Sequence, residues 1–337
     1  MNKPKVAHIE SLRGIAILLV VMGHVIGSTP DGGMKIDFPS YWRYIYLWID
    51  YIQMPLFTAI SGWVYALAPI KVNLSIGKFM QKKVYRLLLP MIMAATAYFL
   101  IQYIIPGTNQ KGNLAEIWRI YVFPYTIYWY LPSLFIMFFM IVIIDKLKWA
   151  ANIQGWIICS ITAYLGLIAV KGGLIPDSIP NLFSFKGALS QFPYFIIGLG
   201  VNRFSKELFT SKLRKYYMLF AFIGIVLLQF KWFYPIAKEP IYQLTQPLWV
   251  IALLIIVLHQ TRYSNRFFVW LGGYAYIIYL YHGFGTSGGR IILSRLGIHS
   301  ELLIFLFATI IAVCLPILIE TLVKKWKALR FLILGIK

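Results

Sequence analysis

The sequence predicts an all-α polytopic membrane bundle of about ten transmembrane helices with both termini cytoplasmic, and three observations carry that prediction. Of the 337 residues, 60% are hydrophobic and 13% charged, against about 25% charged in an ordinary soluble domain. Apolar segments near the roughly 20 residues needed to cross a bilayer recur along the whole chain. Basic residues collect in every second interval between them.

The first segment, 12–28, lacks a small-residue cleavage site behind it and is followed by similar segments, so it reads as a retained span and not a signal peptide. The others fall at 43–68, 87–105, 128–145, 154–170, 187–202, 216–234, 241–259, 267–284 and 302–322. With the N-terminus inside, the inner intervals hold 22 of the 32 Lys and Arg residues and the outer ones 10, the distribution that the positive-inside rule selects. The net charge of +21 therefore reports topology. It does not indicate a nucleic-acid partner, because the basic residues lie between spans and not along one polar face.

Trp and Tyr around 41–48 and 125–130 mark membrane edges. The outer intervals 29–42, 106–127, 171–186 and 285–301 are rich in Gly, Pro and polar residues, and "TSGGR" (286–290) reads as a flexible turn. With no fixed-period repeat, residues 1–337 read as one integral membrane domain with no appended soluble domain. Cys159 and Cys314 both lie in apolar segments, which gives no disulfide framework and no cysteine metal site; no metal is expected.

The first span carries the strongest chemical signal. Arg13 and His24 are eleven residues apart, about 1100° of helical rotation, within about 20° of three full turns, and about 16 Å of rise. They share one face. Arg13 would sit at the inner boundary and His24 beyond mid-membrane, where an ionisable group is costly and faces a bundle interior or watery cavity. The alternative for His24 is a hydrogen bond to a neighbouring helix, and for Arg13 plain topology.

Arg13 and His24 in this spacing resemble the signature of the acyltransferase-3 family of integral membrane O-acyltransferases. "MPLFTAISGW" (54–63) resembles its second-span stretch ending in Ser-Gly, and "WYLPSLF" (129–135) its fourth-span segment. "YFIIGLG" (194–200) and "LGGYAYIIYLYH" (271–282) resemble its sixth and ninth spans. Two departures stand out: Lys83-Val84-Tyr85-Arg86 where many members have Arg-x-x-Arg, and Thr58-Ala59 where aromatics are common. The resemblance implies transfer of an acyl group, most commonly acetyl, from cytoplasmic acyl-CoA to a hydroxyl of an extracytoplasmic glycan or lipid-linked saccharide. It further implies a bacterial cytoplasmic membrane and no permanently bound cofactor, acetyl-CoA being a donor substrate.

The residues could support that chemistry. Arg13 with Lys82, Lys83 and Arg86 could hold the phosphates of CoA by charge-assisted hydrogen bonds, although lysine at 83 is a point charge and not a fork. The pantetheine arm would then bring the thioester to His24, a general base suited to neutral pH. Direct attack is the preferred route, with a covalent acyl-histidine as the alternative. Asp50, some 12 Å below the outer surface, is the candidate to orient His24; the competing reading pairs it with Arg43. Ser61, beside Gly62 and below Pro55, could break the second span and open space for the arm, or simply pack. Trp129 and Tyr130 could stack on a sugar ring or anchor the interface. His282 could contact acceptor or product. Gln191, Gln243 and Gln246 could line a cavity or bond between helices. A transporter or flippase for a glycan is the main rival function, and it would not require a cation and an imidazole aligned on one helix.

Overall fold

The computed structural model describes residues 6–71, 73–106, 108, 113–233, 240–259 and 263–336, without the side chains of 230–243. It is all-α among those residues. The first half contains α1 (Ala7–Ile26), α2 (Tyr41–Leu67), α3 (Ile76–Lys83), a π-helical turn at Val84–Leu88, α4 (Leu89–Ile104), α5 (Arg119–Val122), α6 (Tyr130–Lys146) and α7 (Ile153–Lys171). The second half contains α8 (Phe185–Arg203), α9 (Ser205–Leu208), α10 (Ser211–Phe233), α11 (Pro240–His259), α12 (Arg266–Gly273), α13 (Ala275–Arg295), α14 (Glu301–Val323) and α15 (Lys327–Leu334).

Each apolar segment read from the sequence contains helix, and five helical stretches are long and apolar enough to cross a membrane: Ala7–Ile26, Ile76–Ile104, Leu114–Lys146, Ile153–Lys171 and Glu301–Val323. Of the other long helices, α2 and α13 turn several polar side chains inward. On α2, Arg43, Gln53 and Thr58 are buried; on α13, His282 is buried. The apolar spans contribute buried polar groups as well: Glu10 and Ser11 on α1, Gln102 on α4 and Ser133 on α6.

Close packing at small residues holds the bundle together, as expected where lipid removes the hydrophobic drive between helices. A Cβ added at Gly198 would lie 1.8 Å from the Ala59 carbonyl oxygen, and one at Gly62 would lie 1.9 Å from that of Phe195, so α2 and α8 touch backbone to backbone. Gly14 meets the Phe268 carbonyl in the same way and brings α1 against α12. Ser61 does not break α2: the helix runs unbroken from Tyr41 to Leu67, and Ser61 Oγ donates to the Phe57 carbonyl one turn back at 3.0 Å.

Two sequence expectations fail at α12 and α13. The segment 267–284 is not one helix, because the chain turns at Tyr274 between α12 and α13. The strip at 286–290 is not a turn but lies inside α13, which continues to Arg295. Gly285 and Gly289, one helical turn apart, rest on the backbone of Ala312 and Ala308 of α14. The missing side chains that suggested flexibility are what allow this contact, and the contact outweighs glycine's poor helix propensity.

Candidate functional site

α1 runs without a break through both Arg13 and His24, so their eleven-residue spacing becomes alignment along one helical face. α13 lies beside it. Near one end of α13 the Tyr276 hydroxyl donates to the Arg86 carbonyl at 2.6 Å. Six residues on, the His282 ring stands 5.0 Å from the His24 ring, centroid to centroid. Two neighbouring helices therefore run from a basic end to an imidazole end.

At the basic end, Arg13 Nη1 donates to both carboxylate oxygens of Glu10, at 2.9 and 3.0 Å. Glu10 is nearly buried and Arg13 partly exposed. The sequence reading overlooked Glu10, although its position three residues before Arg13 is an ordinary ion-pair spacing. Arg86 is close enough for its charge to act on Arg13. It sits in the π-helical turn Val84–Leu88, a distortion that is frequent at functional sites. Lys82 is exposed. Lys83 Nζ lies 3.4 Å from the centre of the Phe138 ring and 5.3 Å from that of Phe79, so its ammonium rests on aromatic faces. Nearby, Arg203 forms a bidentate pair with Asp145, both bonds 2.8 Å, and Tyr65 donates to the same carboxylate at 2.8 Å. Arg203 is a strut of the fold and not a loose basic residue.

At the imidazole end His24 lines a polar cavity of about 380 Å³. Ser28, Thr29 and Asp31 from the loop after α1, Tyr98 and Gln102 from α4, Thr126 ahead of α6, and Thr286 and Ser287 from α13 complete its polar wall. None of these eight was singled out from the sequence as an acceptor contact. Their signal was weak, since serines and threonines beside an interface are ordinary and the α13 pair sat in a segment misread as a turn.

Arg43 fixes the loop that roofs this cavity. Its side chain is 1% exposed, its Nη1 donates to the Gly27 carbonyl at 2.6 Å, and its Nε donates to that of Ile36 at 2.9 Å, an oxygen that Nη2 also reaches. The guanidinium lies 4.9 Å from the centre of the Phe38 ring. The loop folds tightly because Gly27 and Gly33 both adopt positive φ, +88° and +51°, where other residues are strained. Arg43 is thus bonded to backbone and not, as one reading held, to Asp50.

Asp50 is exposed; its carboxylate accepts from the Tyr46 hydroxyl at 3.2 Å and from Gln53 Nε2 at 3.4 Å. The ring that faces His24 belongs to His282. Tyr130 is wholly buried and does not present a face at an interface: its hydroxyl lies 3.2 Å from Thr58 Oγ1, and its ring meets those of Phe57 and Tyr279 edge-on. Trp129 is half-buried beside it, with its ring edge-on to Tyr130. Gln191 accepts from Thr58 across α2 and α8, and Gln246 accepts from Lys171 across α7 and α11; the side chain of Gln243 lies outside those described. Among the described residues no three His, Cys, Asp or Glu side chains gather as a metal centre.

A family model described as an acyltransferase domain matches residues 6–321. No match was found among curated proteins or among solved structures.

Proposed function

Since the chain belongs to the acyltransferase-3 family, membrane enzymes that transfer acyl groups, we propose that it moves an acetyl group from cytoplasmic acetyl-CoA to a hydroxyl of an extracytoplasmic glycan or lipid-linked saccharide. The observation that carries this reading is the alignment of Arg13 and His24 on unbroken α1, with His24 opening into the polar cavity. In this reading the chain is a single membrane domain crossing a bacterial cytoplasmic membrane about ten times, with both termini inside. The inner face then coincides with the Arg13 end.

The CoA phosphates are held at that end by Arg13, Lys82 and Arg86, with Lys83 adding charge from its seat on Phe138. Charge-assisted bonds from Arg13 and Arg86 suit phosphate oxygens, and an arriving phosphate would compete with Glu10 for Arg13. The arm passes Ser61 and the inward faces of α1, α2 and α13, bringing the thioester beneath His24. The acceptor enters the cavity, where hydroxyl and amide groups from Ser28, Thr29, Tyr98, Gln102, Thr286 and Ser287 match the hydroxyls of a sugar. Trp129 and Tyr130 stand outside the lining of this cavity, so sugar contacts fall to its hydroxyl and amide wall, and His282 backs it through His24.

The acceptor oxygen attacks the thioester carbonyl carbon, a C–O bond forms, and the C–S bond breaks. His24 takes the hydroxyl proton and returns it to the departing CoA sulfur, so the base is restored within one cycle. General-base assistance of this kind contributes about 10² to 10⁴ in rate.

Mass spectrometry of surface glycan from cells with and without the protein tests the reading. The expected result is a mass increment of one acetyl group per modified site, present only with the protein. Identical glycans in both cells, together with altered glycan export, would favour a transporter instead.

A further inference from the structure

His282 is wholly buried, and its two ring nitrogens stand in different surroundings. Nδ1 lies 3.0 Å from the Ile278 carbonyl oxygen and 2.8 Å from that of Tyr279. Carbonyl oxygens only accept, so Nδ1 is the nitrogen that carries the hydrogen and donates. In a neutral imidazole the other nitrogen is then an acceptor. That nitrogen, Nε2, is buried and has no hydrogen-bond partner, an arrangement that costs free energy and is rare in a native interior. The ring nearest to it is that of His24, 5.0 Å away centroid to centroid with the two rings tilted by 39°.

We propose that His282 is the positioning residue for His24: its Nε2 lone pair accepts an N–H of His24 and so leaves the other His24 nitrogen unprotonated toward the cavity. This rests on His24 being the base. A general base needs a partner that fixes its tautomer, and here the helix itself prepares that partner, because the i−3 and i−4 carbonyls of α13 hold the hydrogen of His282 on Nδ1. With the ring centres 5.0 Å apart, the two imidazoles are at the separation that an N–H···N bond between them requires. When His24 takes the acceptor's hydroxyl proton on its cavity-facing nitrogen it becomes an imidazolium, whose other N–H stays bonded to His282 Nε2. The proton taken from the acceptor then leaves for the CoA sulfur. His282 keeps its own Nδ1 hydrogen throughout, so it gains and loses nothing over the cycle.

The sequence offered His282 as an acceptor or product contact and not as a partner of His24. His24 lies on the face shared with Arg13, whereas the positioning role of His282 depends on the close approach of α13 to α1, which no local pattern records.

Three measurements on the purified full-length protein test the assignment. His282→Phe fills the space without an acceptor, and His282→Gln returns an acceptor oxygen near the position of Nε2. The Phe variant should lose roughly tenfold or more in kcat with both KM values within about twofold of wild type. The Gln variant should recover much of that loss. Nitrogen-15 NMR of histidine-labelled wild type should show Nδ1 of His282 protonated and Nε2 not, with His24 in one tautomer that becomes a mixture in the Phe variant. Wild-type kcat in His282→Phe would overturn the proposal, as would the opposite tautomer of His282, which can be read even if the Phe variant does not fold. Equal losses in the Phe and Gln variants with His24 unchanged in tautomer would overturn it too. The two readings separate cleanly: wild-type turnover in His24→Ala removes the base itself, whereas a dead His24→Ala beside a fully active His282→Phe removes only the positioning role.

Discussion

Replacing Arg43 by methionine should open the roof of the cavity while leaving the bundle folded. Methionine fills much of the volume but keeps no donor, so the Gly27 and Ile36 carbonyls lose the three bonds that Nη1, Nε and Nη2 make. Hydrogen bonds to a charged group contribute about 1.5–3 kcal/mol, which puts the loss at two carbonyls at roughly 3–6 kcal/mol. Part is offset, because a buried guanidinium no longer has to be desolvated and the freed carbonyls can reach water once the loop opens. The net cost of keeping the loop closed is about 2–4 kcal/mol, less than the roughly 5–15 kcal/mol that separates folded from unfolded protein. The change should therefore stay local. Hydrogen exchange followed by mass spectrometry, on protein in detergent, reads it directly: amides in 28–40 should exchange roughly 30- to 1,000-fold faster, with the apparent KM for acceptor raised. Unchanged exchange in 28–40 would refute the role assigned to Arg43, and so would faster exchange spread evenly over all helices.

Arg13→Ala should raise the apparent KM for acetyl-CoA by about five- to tenfold, the loss of one charge-assisted contact, and leave that for acceptor near wild type; an effect confined to the acceptor would place Arg13 elsewhere. Gly198→Val forces atoms into the Ala59 carbonyl, which a Cβ would meet at 1.8 Å, so α2 and α8 must part and the thermal midpoint should fall by several degrees. An unchanged midpoint would contradict that contact. His282→Phe should lower turnover with little change in either KM, as argued above.

Much of the fold can be read from the chain because apolar length is a strong local signal, and α1, α4, α6, α7 and α14 all arise where apolar runs predict them. Where polar residues interrupt a run, local pattern loses its hold. Gly285 and Gly289 look like a turn until α14 is placed against them, and Val84–Leu88 carries no mark of its π-helical geometry. The site divides in the same way. Arg13 and His24 share one helix, so their relation follows from helical period alone. Glu10 was within reach of the same spacing rule. Arg43, His282 and the cavity wall depend on which helices meet, and the face that Lys83 presents to Phe138 depends on α6. Tyr130 was misjudged for a related reason: an aromatic at a predicted interface and one in the core carry the same local pattern, and Thr58 and Tyr279 decide between them.

The most direct test is transfer of labelled acetyl from acetyl-CoA to glycan by purified wild-type protein and by His24→Ala with the same thermal midpoint. We expect transfer by wild type and a loss of at least about a hundredfold in the variant. Undiminished transfer by His24→Ala would contradict the assignment of the base, and with it the path from Arg13 to the cavity.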